Sequence, residues 1–180
     1  MQAYLKKHGP SFQGHSMKIT WERSGRNVTI EFQVQKRLGA PWQTDANFSN
    51  DYSKNWGLWN KDVMEAFLQL RADENDLAAP YLEIQVSPLN QPFALIIKEP
   101  RKTYYAPENL AFKTEVTLTD KLWIGKMEVT LPEDLQGTHL YGGFFSMISI
   151  DSKEYYALNP NPEANADFHR PELFLKLDEQ

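Results

Sequence analysis

Apolar and polar residues alternate along most of the chain, which is the pattern of β-strands with one buried face. The clearest case is Asn27–Gln35, in which every second residue is aliphatic or aromatic and the residues between them are polar. Tyr81–Ser87 and Ala111–Thr119 repeat this pattern. Further segments complete a prediction of about ten strands: Met17–Glu22, Asp62–Gln69, Phe93–Lys98, Leu122–Leu131, Gly142–Ile150, Glu154–Leu158 and Glu172–Leu177.

One window, Asn60–Arg71, also fits a helix, because Val63, Phe67 and Leu70 would share one helical face. We predict a strand there because the window lies within a long series of strands. Short strands separated by Pro, Gly, Asn and Asp are typical of sandwich folds. The sequence therefore predicts an all-β fold, a single antiparallel β-sandwich of the jelly-roll or immunoglobulin-like type.

Turn residues between neighbouring strands predict two hairpins. One turn is Thr119-Asp120-Lys121 and the other is Asp151-Ser152-Lys153. The alternating pattern begins near Met17, so we expect residues 1–16 to form an N-terminal extension and residues 17–180 to form the sandwich. A chain of 180 residues is long enough for one sizeable core.

Composition and charge exclude several classes of function. The chain has no cysteine, which rules out a disulfide scaffold, a thiolate nucleophile and a cysteine-ligated zinc site. Its net charge of −5 argues against a nucleic-acid partner, which needs a basic surface. No apolar segment is long enough to span a bilayer, so no membrane partner is expected. The first residues contain no apolar stretch of signal-peptide length. We therefore expect a cytoplasmic protein, or a periplasmic or secreted one if a leader was removed.

Aromatic residues make up 13% of the chain and are concentrated in one loop. The segment from Gly39 to Trp59 carries five of them among short polar side chains: Trp42, Phe48, Tyr52, Trp56 and Trp59. Exposed rings beside amides and carboxylates are what a sugar site needs, since a ring covers the apolar face of a pyranose while polar groups bond its hydroxyls. The alternative is that these rings fold back into a small core under the loop.

Two acidic residues follow this loop directly. Asp62 and Glu65 lie in a segment in which both strand faces mix charged and apolar residues. A carboxylate at the mouth of a site could accept hydrogen bonds from ligand hydroxyls or bind calcium, and the alternative for each is a structural ion pair. On a strand the two side chains would point to opposite faces, so they are not a glycosidase pair. We therefore expect no enzyme.

Four motifs in order resemble the carbohydrate-binding module family 9 and its DOMON-like relatives. The first is Trp59-x-x-Asp62-Val63-x-Glu65-x-Phe67-Leu68, followed by Tyr81–Pro88. The later ones are Trp123 with Glu128 and Leu131-Pro132, then Asn159-Pro160, and finally Asp167–Phe174 with its His-x-Pro core. The resemblance spans nearly the whole chain and implies a β-sandwich.

The same resemblance implies a site in which a sugar end lies between two aromatic rings. Carried over residue by residue, Trp59 matches the first ring and Glu65 matches an acidic residue that bonds sugar hydroxyls. Tyr156 is the candidate for the second ring, with Tyr155 beside it, because Leu158 stands where a tryptophan is expected. Trp56 is a further candidate contact.

His169 lies in the last motif, and we expect either a structural role held by neighbouring carboxylates or a ligand contact. His8, His15 and His139 have no metal-ligand spacing. Calcium remains possible at Asp45, Asp51 or residues 73–76, and no other cofactor is predicted.

Two alternatives to sugar binding follow from the same resemblance and from the aromatic content. DOMON-like relatives bind haem, and Met64, Met147 and His169 are the available ligands. The sandwich would otherwise be an interaction domain that has lost sugar binding and docks through an edge strand or an exposed aromatic patch.

Overall fold

Two antiparallel sheets pack face to face in the computed structural model, which describes residues 1–7, 16–35, 41–149, 153–161 and 166–178. The smaller sheet has the strand order β1 (Gln2–Tyr4), β3 (Ser16–Ser24), β4 (Asn27–Gln35), β10 (Leu122–Thr130) and β9 (Phe112–Leu118). The larger sheet has the order β2 (Lys6–Lys7), β12 (Lys153–Ala157), β11 (His139–Ser149), β5 (Val63–Arg71), β6 (Tyr81–Val86), β7 (Pro92–Glu99) and β8 (Thr103–Tyr105). A short strand, β13 (Leu175–Lys176), also pairs with β11.

The main core lies between the two sheets and comes from the alternating residues. Ile30 and Val34 of β4 are fully buried there, in the same core cluster as Leu82 and Ile84 of β6. Full burial of one such side chain contributes about 1.5–3 kcal/mol. Trp123 of β10 is also fully buried, with its ring edge-on to Phe32. The alternation of apolar and polar residues thus encodes which side chains line the inner faces of the sandwich.

The outer face of the larger sheet is covered as well, so β5 and β6 are buried along their whole length. A second apolar cluster lies on this face, including Phe67, Phe93 and Phe145. The loop of residues 41–62 and the segment of residues 166–174 pack over it, through residues such as Phe48 and Phe168. This double coverage puts polar residues of β5 and β6 under a layer of loops.

The structure confirms the all-β sandwich and both hairpins. Strands β9 and β10 pair across the first predicted turn, and β11 pairs with β12 around the second, in which Asp151 and Ser152 lie outside the described residues. The window at Asn60–Arg71 is a strand over Val63–Arg71. No helix in the described ranges is long and apolar enough to cross a membrane.

Three segments differ from the sequence prediction. Residues 2–7, expected in an extension, supply a strand to each sheet, and residues 8–15 lie outside the description. Strand β8 was not predicted. Glu172–Leu177 is mostly irregular, with a 3-10 turn at Pro171–Leu173 before β13. Segments of two or three residues are too short to carry a period, which explains the missed strands.

Candidate functional site

A cleft of about 260 Å³ opens on the outer face of the larger sheet. Its floor comes from the middle strands, with Glu65 on β5 and Glu83 and Gln85 on β6. Tyr155 on β12 and Tyr104 on β8 lie on opposite sides of these strands in the sheet order. The volume is near the lower end of small-molecule sites, which span about 300–1,000 Å³. It suits a small ligand or the end of a longer one.

The aromatic loop reaches the cleft because buried polar anchors hold it in place. Asn55 is almost fully buried, and its amide nitrogen donates to the carbonyl oxygens of Ser49 and Pro92 at 2.7 and 2.6 Å. Gly57 then takes a left-handed conformation with φ of 89°, which glycine adopts without steric cost. Leu58 is fully buried beneath the turn. The loop therefore presents Trp56 and Trp59 in fixed positions.

The rings of the cleft contact one another, and two of them, Trp56 and Tyr104, are open to solvent. Trp56 is 56% exposed and stacks on Tyr104, with ring centroids 5.4 Å apart and planes 25° apart. Trp59 meets Trp56 edge-on at 4.9 Å. Phe168 also lines the cleft and stacks on Phe145 at 4.4 Å. Such rings offer both flat faces and edges to a ligand.

The floor of the cleft holds two buried carboxyl groups. Glu65 is 2% exposed and Glu83 is 5% exposed. In the strand pairing Glu65 lies opposite Gln85 while Phe67 lies opposite Glu83, so the two glutamates are diagonal neighbours on one face. Loss of hydration raises the pKa of Glu83 to about 7. Desolvation, and then the charge of Glu83, raise the pKa of Glu65 well above its usual value.

Gln85 has an unfilled hydrogen-bonding position in this floor. Its side chain is fully buried, and its amide nitrogen donates to Glu83 Oε1 at 2.5 Å. Its Oε1 atom has no hydrogen-bond partner among the described residues. A buried acceptor without a donor costs about 1–3 kcal/mol, so the position favours a donor supplied from outside.

The other buried polar residues on the same face of β5, Gln69 and Arg71, find their hydrogen-bond partners within the protein. Gln69 donates to the carbonyl oxygens of Leu77 and Ala79. Arg71 donates to Gln69 Oε1 at 2.7 Å and to backbone carbonyls of two loops, and it lies over the ring of Tyr141. This end of β5 is structural. In the cleft, by contrast, Gln85 Oε1 is left without a partner; the other buried side-chain atoms without one among the described residues, Asn90 Oδ1 and Trp123 Nε1, lie away from the cleft.

Two cations, Arg101 in the cleft lining and Lys153 near Glu65, already have partners. Arg101 pairs with Asp167 at 2.6 Å near the cleft opening. Lys153 donates to the carbonyl oxygen of Trp59, and its charge acts on Glu65. No cation contributes to the pKa of Glu83. The floor therefore carries more potential negative charge than the neighbouring cations balance.

His169 lines the cleft and is also fixed structurally. Its Nδ1 atom lies 2.7 Å from the hydroxyl oxygen of Tyr81, and its ring stacks on Phe67 at 5.0 Å. Its backbone N–H donates to Asp167 Oδ1 at 3.1 Å. Burial lowers the pKa of His169, so the ring is neutral at neutral pH. Both expected roles, a structural role and a ligand contact, are compatible with this position.

Four of the six predicted site residues lie on this one cleft: Trp56, Trp59, Glu65 and His169. Asp62 does not; it is fully buried and accepts hydrogen bonds from the backbone N–H groups of Gln43 and Ser149 at 2.9 and 2.7 Å. It ties the aromatic loop to β11.

Tyr156 also lies outside the cleft, in the main core, with its hydroxyl group donating to Glu154. Neighbouring residues on a strand point to opposite faces, so the ring that lines the cleft is Tyr155. Glu83, Gln85, Tyr104 and Phe168 were not singled out from the sequence. Glu83 and Gln85 follow the alternation of β6 and resemble a solvent-facing row.

The metal and haem options find little support in these side chains. Among the described residues no group of three or more His, Asp or Glu side chains is placed to hold a metal ion, and His8 and His15 lie outside the description. Asp45 instead approaches Lys61 at 3.7 Å. Met64 is fully buried in the main core, whereas Met147 and His169 line a cleft too small to enclose a haem.

Comparison with solved structures places the fold. A candidate carbohydrate-binding protein from Bacteroides uniformis matches with a TM-score of 0.70 and 12% identity, over 97% of this chain and 84% of that chain. A carbohydrate-binding module family 9 from Caldicellulosiruptor kristjanssonii, in complex with cellotriose, matches with a TM-score of 0.64 and 16% identity, over 98% of this chain and 80% of that chain. The fold is thus of the family 9 type, as the motifs indicated.

Comparison with protein sequences gives the family. No model of a known protein family matches the chain. The UPF0462 protein C4orf33 homolog of Mus musculus is 29% identical over an alignment of 123 residues that covers 65% of this chain and 60% of the mouse protein. The homolog of Rattus norvegicus is 30% identical over an alignment of 152 residues that covers 76% of this chain and 72% of the rat protein. The chain therefore belongs to the UPF0462 family of C4orf33 homologs.

Proposed function

We propose that this protein is a non-catalytic carbohydrate-binding module that recognises the end of a glycan in the cleft on its larger sheet. Trp56 and Trp59 provide the ring faces for the sugar, and Glu65, with Gln85 beside it, bonds the hydroxyl groups. The observation that carries the proposal is that Trp59 and Glu65 line one open cleft. Aromatic rings around a few buried polar groups are the usual composition of a sugar site.

The structural neighbours support the same class of ligand. One of the two is a family 9 module in complex with cellotriose, and it matches 98% of this chain. The concave shape of the site also favours a small ligand over a docked protein surface. A flat exposed patch of rings would favour the interaction-domain alternative instead.

A binding role fits the carboxyl groups better than hydrolysis does. Glycosidases place one carboxyl group on each side of the scissile bond and keep one of them ionised. Here Glu65 and Glu83 lie side by side on neighbouring strands of one floor, and burial raises the pKa of both. Such a pair can bond the hydroxyl groups of one sugar unit.

Isothermal titration against a panel of monosaccharides and oligosaccharides tests the proposal. We expect binding by the wild type and a loss of about tenfold in Trp59→Ala, because removing about 60 Å² of contact with the sugar costs about 1.5 kcal/mol. Tyr4→Ala is the control, since Tyr4 is exposed on β1 outside the cleft. No heat from any sugar in the panel would refute sugar binding, and release of monosaccharide during the titration would refute the non-catalytic role.

A further inference from the structure

We propose that the group that enters this cleft is the protonated amine of an amino sugar, held against Glu65, Glu83 and Gln85. The inference rests on the proposed function and names its ligand class. It goes beyond stacking and hydroxyl recognition, because it assigns a charged group to the floor of the cleft.

The first argument is the hydrogen-bonding capacity of the floor. The amide nitrogen of Gln85 is turned toward Glu83, so its buried Oε1 atom is left without a donor. Glu65 also lines the cleft, beside Gln85 in the strand pairing, so its carboxyl group faces a ligand there. When the two glutamates are ionised, the floor offers their carboxylate oxygens and Gln85 Oε1 as acceptors. An ammonium group donates three hydrogen bonds and accepts none, whereas a hydroxyl group donates one.

The second argument is charge balance. Glu65 and Glu83 are buried as diagonal neighbours, and a buried charge needs a partner. Arg101 is paired with Asp167, and only Lys153 acts on Glu65. Glu83 therefore has no cation of its own. His169 adds none, because burial lowers the pKa of its ring. A cationic ligand group would supply the missing partner and allow these carboxyl groups, whose pKa values burial raises, to ionise.

The third argument is the ring layer at the opening. Trp56 and Tyr104 stack at the mouth, and Trp59 lies edge-on to Trp56. Aromatic faces attract cations, most strongly for tryptophan, and the attraction grows as the cation loses water. An ammonium group that passes these rings is favoured at each step toward the floor. An acetylated amine loses both the charge and two of its donors.

Three β-1,4-linked trisaccharides that differ only at the second carbon of each sugar test this directly. They are the glucosamine trimer with free amines, its fully N-acetylated form, and cellotriose with hydroxyl groups. Titration near pH 6.5 should show the free-amine trimer binding at least tenfold more tightly than the other two. In Glu83→Gln this preference should fall to less than threefold. It should persist in Glu108→Gln, a matched change at an exposed residue outside the cleft.

A second measurement distinguishes ionic recognition of the amine from non-specific binding. Because burial raises the pKa of both glutamates, the cationic trimer should expel protons on binding, measured as a buffer-dependent heat, while cellotriose should not. Equal or tighter binding of cellotriose would overturn the amine assignment and leave sugar binding intact. Binding of none of the three would also overturn it. Cyclohexylamine binding as tightly as the amine trimer would show a site for amines alone and refute the glycan proposal itself.

Discussion

Replacing Glu83 with glutamine should stabilise the protein at high pH. The side chain is 5% exposed, and no neighbouring cation compensates its charge. The glutamine isostere removes the charge and keeps an oxygen that can accept the hydrogen bond from Gln85. The change therefore isolates the cost of burying one carboxylate in the floor of the cleft.

The size and sign of the effect follow from the pKa of this group. Burial raises the pKa of Glu83 from 4.5 to about 7, so the folded protein holds the proton more tightly than the unfolded chain does. The wild type therefore loses stability as pH rises from about 4.5 to about 7. A difference of about 2.5 pH units corresponds to about 3 kcal/mol. Glu65 adds to the effect in the same direction, because the charge of Glu83 contributes to its raised pKa.

Urea unfolding at about pH 4 and about pH 8 measures this effect. The Glu83→Gln variant should match the wild type within about 0.5 kcal/mol at the lower pH and exceed it by about 3 kcal/mol at the higher pH. Glu108→Gln serves as the control, because Glu108 is exposed and should give no pH-dependent difference. Equal differences between Glu83→Gln and wild type at both pH values would refute the claim that the carboxylate is buried without compensation.

Three further outcomes test other parts of the structure. Trp56→Ala should cost about 0.5–1.5 kcal/mol of stability, because its ring stacks on Tyr104 and meets Trp59, and should weaken sugar binding, whereas Tyr4→Ala, which removes a ring of 57% exposure, should alter stability by less than about 0.5 kcal/mol and leave binding unchanged. Asp62→Ala should cost about 2–4 kcal/mol in urea unfolding, because it leaves the N–H groups of Gln43 and Ser149 without acceptors; a cost below about 0.5 kcal/mol would contradict this. Added haem should keep the Soret band of free haem, and a shifted band would revive the haem alternative.

The inner half of the fold could be predicted from the sequence because it obeys a simple period. β4 occupies Asn27–Gln35 as predicted, since packing one sheet on the other requires every second residue to be apolar. The motif resemblance added Trp59 and Glu65, which do lie on one cleft.

The rest of the site depends on which strands pair and what covers them. Glu83 and Gln85 have the alternation of a solvated face, and only the loop of residues 41–62 and the segment of residues 166–174 make that face buried. The sequence predicted Tyr156 as the ring of the site, whereas Tyr155 lines the cleft, and this difference also depends on the sheet. One residue along a strand reverses the face, and a motif match alone does not fix the position to within one residue.

The tryptophan indole N–H signals give the most direct test of the central claim that the cleft binds a glycan. The chain has five tryptophans, and in the structure only Trp56 and Trp59 line the cleft. In a ¹⁵N-labelled sample titrated with the sugar panel, these two signals should shift with a common affinity. The signals of Trp21, Trp42 and Trp123, which pack against or within the main core, should stay in place. No shift for any sugar, or shifts of the core tryptophans alone, would contradict the account.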